Sequence, residues 1–453
     1  MCSLIQKYNI PGPRYTSYPT VPFWDIHSFS GKKWEATVKQ SFSESNSKEG
    51  ISLYIHLPFC ESMCTFCGCH KRITKRHDVE VPYIRTLLKE WTLYLELFDE
   101  RPIIKELHLG GGTPTFFRPE NLQMLINGLF RRADKAADYE FSFEGHPNNT
   151  TKEHLQALYD VGFRRVSYGV QDYNETVQKA IHRVQSFENV KNVTDWAREI
   201  GYTSIGHDII FGLPHQTLQH VLETIEKTKS LMPDRLAFYS YAHVPWLKGN
   251  GQRGYKDSDL PSAEEKRAQY EAGKLELAKA GYTEIGMDHF ALDKDSLYLS
   301  MQNGKLHRNF MGYTASKTQL MVGLGASSIS DSWYGFAQNV KSLEEYQHLV
   351  ENNIIPIFRG HILTDEDMII RKHILNLMCQ LETIWFKESM QFKALPLVMD
   401  RLKEMKADGL LEMTPYQLRV TEMGRPFVRN ICMAFDLKLH EKTPETRLFS
   451  MTI

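Results

Sequence analysis

From residue 51 onward, short runs rich in β-branched, aromatic and aliphatic residues alternate with longer polar stretches suited to helices. The runs are ISLYIH, KELHLG, YEFSFE, RRVSYGV, SIGHDIIFG and RLAFYSYAH. This rhythm predicts βα units and hence a parallel sheet, either open or curled into a full or partial barrel. In both architectures ligands gather at the carboxyl ends of the strands. A cysteine cluster follows the first run and Gly110-Gly111-Gly112-Thr113-Pro114 the second. Glu144 follows the third run, Gln171 the fourth, and Asp208 lies in the fifth. These positions predict one shared site.

Outside these units the pattern changes. Residues 1–50, with Pro and aromatics around GPRYTSYPTVPFW, predict an ordered arm over the site, and residues 51–359 the catalytic domain with a barrel extension. From 360 to 453, stretches such as LPLVMDRLKEMKADGLLEMTPYQLRVTEMG predict helices and a small hairpin, as in a winged-helix domain. Acidic and basic residues are equally numerous in residues 361–453, so the basic footprint of a nucleic-acid module is missing and a structural cap is expected.

Composition narrows the class further. The 453-residue chain is 42% apolar, enough for a substantial core. Its net charge of -1 excludes a general field toward nucleic acid or anionic membranes. No apolar run suits a signal peptide or a membrane span, and the expectation is a soluble cytoplasmic protein. Seven cysteines are too few for a disulfide framework in so long a chain, yet four of them lie between Cys60 and Cys69.

Cys60, Cys64 and Cys67 form C-x3-C-x2-C in a loop leaving a strand. Three thiolates can hold three irons of a cubane cluster and leave the fourth iron open to a ligand. Zinc is the main alternative, since Cys69 and His70 could complete a tetrahedral set. Its usual pattern, however, is two separated ligand pairs. The glycines at 110–112 allow backbone to approach a ligand, and Glu144 could bind hydroxyls through charge-assisted hydrogen bonds.

The cysteine spacing followed by Gly-Gly-Thr-Pro resembles the radical S-adenosylmethionine (SAM) superfamily. Further segments narrow the resemblance: Pro13-Arg14-Tyr15-Thr16-Ser17-Tyr18-Pro19, Phe66-Cys67-Gly68-Cys69, Gly169-Val170-Gln171-Asp172, Asp208 to Pro214, Gly286-Met287-Asp288-His289-Phe290 and His307-Arg308-Asn309-Phe310. Together they are similar to the oxygen-independent coproporphyrinogen III oxidase family, from about residue 8 to the C-terminus. The resemblance implies a partial (β/α)6 barrel, one [4Fe–4S] cluster, two SAM positions, and oxidative decarboxylation of two substrate propionates to vinyl groups through 5′-deoxyadenosyl radicals. It also implies that Tyr54, Gly111, Glu144 and Ile329 contact the cluster-bound SAM. Phe66, Gly112, Thr113, Gln171, Arg183, Asp208 and Ala242 would serve the second SAM.

Cys69 and Tyr54 are expected close to the chemistry, and Arg14, Lys71, Arg72, His289 and Arg308 near the tetracarboxylate substrate. The implied partners are an electron donor such as flavodoxin or ferredoxin, an electron acceptor whose identity the sequence leaves open, and no other subunit. At Glu144-Gly145-His146-Pro147 the chain departs from the family pattern, where Asp is expected before Pro. A haem chaperone and an anaerobic haem-degrading methyltransferase on related scaffolds are the competing readings. Cys69 and the Pro-Arg-Tyr-Thr-Ser-Tyr-Pro arm argue against the first, and similarity along the full chain against the second.

Overall fold

The computed structural model describes residues 2–246, 251–252, 254–441 and 448–452. Residues 442–447 and 453 of the expected C-terminal region lie outside the described residues. Each of the six runs forms a strand: β1 (Ile51–Leu57), β2 (Ile103–Gly111), β3 (Asp134–Gly145), β4 (Arg165–Gln171), β5 (Ser204–Phe211) and β6 (Arg235–Ser240). Every neighbouring pair from β1 to β6 is parallel. Six further strands extend this sheet: β7 (Thr283–Gly286), β8 (His289–Ala291), β9 (Met321–Leu324), β10 (Ile329–Asp331), β11 (Gly335–Asn339) and β12 (Ile357–Ile362). The twelve strands lie in the order β12-β11-β10-β9-β1-β2-β3-β4-β5-β6-β8-β7.

Side chains alternate between the two faces of a strand, and on β1 Ile51, Leu53, Ile55 and Leu57 are all fully buried in the core beneath the helices, while Tyr54 and His56 share the other face. Helix α1 spans Gly31–Glu49 and α2 spans Glu80–Leu95. On α2, Tyr83, Ile84, Leu87, Trp91 and Tyr94 make the apolar stripe that packs on the sheet. Helices α3 (Pro119–Phe130), α4 (Lys152–Asp160), α5 (Phe187–Ile200) and α6 (Leu218–Leu231) complete the crossovers. The Ser186 hydroxyl accepts from Asn189 N at the start of α5, and Gly201 in the left-handed region ends it.

The stretch expected as an arm divides in two. Residues 31–49 are α1, whose Trp34, Val38 and Phe42 belong to the same core as β1. Only the preceding segment runs across the molecule as an arm. Strand β12 crosses residues 359 and 360, so the last sheet strand runs through the expected domain limit. Beyond it, α7 (Asp365–Gln380) and α8 (Val428–Phe435) pack with a three-stranded antiparallel sheet of Glu382–Ile384, Gln417–Val420 and Leu411–Met413. This is the helical C-terminal region with its small hairpin. Among the described residues no helix is long and apolar enough to cross a membrane.

Candidate active site

The cysteine loop leaves β1 and is tied down at both ends. Phe59–Cys60 pairs in parallel with Arg72–Ile73, with Arg72 N donating to Pro58 O at 2.7 Å and Thr74 N to Cys60 O at 2.9 Å. The glycine segment after β2 continues this pairing: Gly112 N donates to Leu57 O at 2.8 Å and Thr113 N to Phe59 O at 2.9 Å. A Cβ on Gly112 would stand 2.7 Å from Pro58 C and 2.8 Å from Phe59 O, so only glycine lets the two loops lie this close. Gly111 has φ +113, and a Cβ there would meet the His56 ring at 2.7 Å.

Cys60, Cys64, Cys67 and Cys69 line one cavity of about 330 Å³. Its other walls bring together nine more of the expected residues: Phe66, Lys71, Gly111, Gly112 and Thr113 with Glu144, Gln171, Arg183 and Asp208. Thr113 Oγ1 donates to Cys60 Sγ at 3.3 Å and Arg183 Nη1 to Cys64 Sγ at 3.6 Å. Lys71 Nζ reaches the carbonyls of Cys67 and Cys69 at 3.2 and 3.4 Å. The Cys67 thiol is held low by its hydrogen bond with Cys69, against the effect of burial and with help from Lys71. Burial pushes the Cys60 thiol up to about 11, partly offset by Thr113. Hydrogen-bond donors and cations around three thiols suit thiolates that bind iron, so the chemistry of this donor set fits an iron–sulfur cluster, which Cys60, Cys64 and Cys67 would hold.

The strands fix the remaining groups. Tyr54 on β1 is in register with His108 on β2, the rings stacked with centroids 6.1 Å apart, and Tyr54 Oη lies 3.1 Å from His56 Nδ1. His108 bonds Ser142 through Nδ1 at 2.8 Å and places Nε2 3.5 Å from Glu144 Oε1. His56 and His108 were not expected as site residues. Their signal was present in the period-2 alternation that puts Tyr54 and His56 on one strand face. Gln171 ends β4 at φ +65, a left-handed conformation uncommon outside glycine, beside a register shift against β5. Burial and the neighbouring Glu144 raise the Asp208 carboxyl to about 7, moderated by the Ser167 hydroxyl at 2.9 Å.

His146, the departure from the expected Asp, lines the same cavity. Burial and Arg183 lower it to about 3, so it is neutral, and its Nδ1 accepts from Asn148 N at 3.1 Å. A carboxylate at this position could accept the same backbone N–H, so the turn keeps its acceptor.

Other expected residues stand apart. Ala242 lines an adjoining cavity of about 390 Å³ and is linked to Phe66 by Gln252, whose Nε2 donates to both carbonyls at 3.1 and 2.9 Å. Ile329, on β10, packs toward Trp24, Phe336 and Leu363 and lines none of the three cavities described here. Arg14, His289 and Arg308 line a third cavity of about 160 Å³. Arg72 is exposed and paired with Glu344 at 2.7 Å, away from all three.

A parallel barrel with three thiols and a glycine segment at its carboxyl end is the architecture of a radical SAM protein, and the radical SAM superfamily model matches residues 54–228. Proteins of that superfamily use a [4Fe–4S] cluster and SAM. The similarity extends well past this domain. An oxygen-independent coproporphyrinogen III oxidase from Helicobacter pylori (strain ATCC 700392 / 26695) is 40% identical over 96% of this chain and 95% of its own. Its counterpart from Escherichia coli (strain K12) is 38% identical over 97% and 96%. A solved structure of the coproporphyrinogen III oxidase from Escherichia coli, described as a radical SAM enzyme, superposes with a TM-score of 0.89 at 35% identity, covering 96% of this chain and 98% of that one. The chain belongs to the oxygen-independent coproporphyrinogen III oxidase family.

Proposed function

We infer that this chain decarboxylates two propionates of coproporphyrinogen III to vinyl groups, forming protoporphyrinogen IX in haem synthesis without oxygen. The observation that carries the reading is the single cavity in which Cys60, Cys64 and Cys67 face Gly111, Gly112, Glu144 and Asp208. Similarity to oxidases over nearly the whole chain supports the substrate. Bound there, the cluster and SAM would supply a radical that abstracts hydrogen.

Cys60, Cys64 and Cys67 hold the cluster in this reading. Tyr54, Gly111, Glu144 and Ile329 serve the first SAM. Phe66, Gly112, Thr113, Gln171, Arg183, Asp208 and Ala242 serve the second position. Glu144, braced by His108, suits ribose hydroxyls, and Arg183 and Lys71 supply positive charge in the same cavity for a carboxylate. Arg14, His289 and Arg308 meet the substrate's carboxylates. The walls exclude water and align the β-hydrogen of a propionate with the radical carbon. Loss of that hydrogen atom, then of one electron to an acceptor and of carbon dioxide, leaves the vinyl double bond. No general base is needed in this sequence. We also propose a cytoplasmic monomer reduced by a carrier such as flavodoxin or ferredoxin, divided into arm, catalytic domain and C-terminal cap.

The test is an anaerobic assay of the reconstituted enzyme with coproporphyrinogen III, SAM, a reductant and an oxidant. Two methionines and two 5′-deoxyadenosines per protoporphyrinogen IX are expected. Unchanged substrate alongside a fully loaded cluster would overturn the oxidase reading, and S-adenosylhomocysteine with a methylated tetrapyrrole would point to a methyltransferase.

A further inference from the structure

Arg308 sits in the short strand His307–Asn309, paired antiparallel with Gly312–Thr314, and is only 5% exposed. Its guanidinium lies 4.6 Å from the centre of the Tyr313 ring and donates from Nη2 to the Arg14 carbonyl at 3.1 Å. Among the described residues its Nε and Nη1 are buried with no hydrogen-bond partner. Nearby, His289 Nδ1 is also buried without a partner among the described residues, while Nε2 lies 3.4 Å from Tyr239 Oη. Arg308 and His289 line the same cavity of about 160 Å³. Leaving two donors of a buried cation unmet is costly, and such groups are normally satisfied.

Charge and size specify what the cavity accepts. Arg14, on its rim, is paired with Asp288, and burial with the nearby Arg308 and Arg14 keeps His289 neutral, down to about 3. One positive charge is left over, which suits a monoanion. Pockets for whole drug-sized ligands run from about 300 Å³ upward, so this one holds an aliphatic carboxylate arm and excludes a macrocycle. Tyr239, on its wall, is on β6 in register with Ile210 of β5, the strand whose Asp208 lines the cysteine cavity. The two cavities therefore open from neighbouring strands at the same end of the barrel.

We propose that Arg308 and His289 form a subsite that anchors one propionate of the substrate that is not the one reacting. This deepens, and rests on, the oxidase reading above. The subsite would orient the ring so that a chosen propionate faces the radical, making Arg308 a determinant of which arm reacts.

The test uses the anaerobic holoenzyme and fluorescence titration with coproporphyrin III and its four isomers carrying one propionate as the primary amide. The amide keeps the shape and removes the charge. In the unsubstituted enzyme one isomer should bind about 10- to 100-fold more weakly than the tetracarboxylate, the range for a hydrogen-bonded charge. Arg308→Gln should weaken the tetracarboxylate by a similar factor and lose no further affinity for that isomer, with iron content kept. Arg308→Lys, which retains charge without the planar fork, should fall between them and serves if the Gln variant fails to fold. Equal binding of all five ligands by a folded Arg308 variant and by the unsubstituted enzyme would overturn the subsite, provided the unsubstituted enzyme converts coproporphyrinogen III. If it does not convert it, the oxidase reading fails instead.

Discussion

Arg183 joins the cysteine loop to the end of the fourth barrel strand: Nη2 donates to the Gly169 carbonyl at 2.6 Å and Nη1 to the Cys64 sulfur at 3.6 Å. A Cβ on Gly169 would stand 2.7 Å from Arg183 Nη2, so the glycine permits this approach. A cation hydrogen-bonded to a cluster thiolate favours the reduced, more negative state. Arg183→Met should therefore retain the cluster and shift its reduction potential to more negative values. An EPR-monitored redox titration measures this, and an unchanged potential would show that Arg183 acts only on SAM or on the loop.

The four clustered cysteines should separate cleanly by substitution. Cys60→Ala, Cys64→Ala and Cys67→Ala should each lose the iron cluster after anaerobic reconstitution. Cys69 is exposed and hydrogen-bonded to Cys67, so Cys69→Ser should keep iron and its SAM-induced spectral change while slowing product formation. Iron and sulfide analysis of the four variants decides it. Loss of the cluster in Cys69→Ser would mean the ligand set is misassigned.

The barrel was legible because β-rich runs alternate regularly with helix-compatible stretches and carry buried apolar residues at every second position, as Ile51, Leu53, Ile55 and Leu57 do on β1. Helix α1 was hidden. Its buried side includes Thr37, Ser41, Ser45 and Asn46, small polar residues that mask an amphipathic stripe led by Trp34, Val38 and Phe42. Asn46 shows why they are tolerated: its amide donates to Glu100 and to Arg101 O and accepts from Ile103 N, satisfying it inside the fold. The extension strands β7 to β12 were illegible for another reason, since four of the six have only three or four residues, too short for an alternation to register. In the site, motif residues were found where chemistry restricts the residue type, as with the thiols and glycines. His56, His108 and the carbonyl-binding Gln252 act through other groups, and only the strand register and loop packing bring them there.

Glu90 gives a stability test that does not depend on the cofactors. This fully buried carboxyl is raised to about 7 by burial, even though Tyr346 Oη, Gly325 N and Asn339 Nδ2 donate to it at 2.6, 2.8 and 2.6 Å. Because its folded value exceeds the unfolded one, its contribution to stability is full below about pH 4.5 and is lost as the pH rises through about 7. The change is on the order of 3 kcal/mol. Glu90→Gln should remove that slope between pH 4.5 and 7, while lowering stability at the acid end because its amide group faces the Asn339 donor. Urea unfolding across this range reads it, and an identical slope in the variant would exclude Glu90 as its source.

Arg429 offers a test of the arm. From α8 its guanidinium donates to Pro13 O at 2.9 Å, to Met451 O and Thr452 O at 3.2 Å each, and to Gly12 O. The arm and the segment Ser450–Thr452 also pair with each other, Gly12 N to Ser450 O at 3.0 Å and Thr452 N to Ile10 O at 2.9 Å. Arg14 follows directly on this pinned stretch, meets Asp288, and through its carbonyl receives Arg308. The latch thus fixes the position of Arg14 on the cavity rim without touching the thiols or Glu144. Arg429→Ala would leave several buried carbonyls unmet, which costs about 1–3 kcal/mol each where water cannot replace the donor. The arm should loosen first. Expected outcomes are faster proteolytic cleavage within residues 9–14, a higher KM for coproporphyrinogen III, and a larger fraction of SAM cleaved without product. Iron content should be unchanged, since the cysteine loop has its own anchors in Pro58 and Cys60. Arg429→Lys, able to reach one or two of the four carbonyls, should give smaller effects of the same kind. A variant that lost iron and coupling in equal measure would show global destabilisation, and one that kept its coupling despite rapid arm cleavage would separate the latch from substrate positioning.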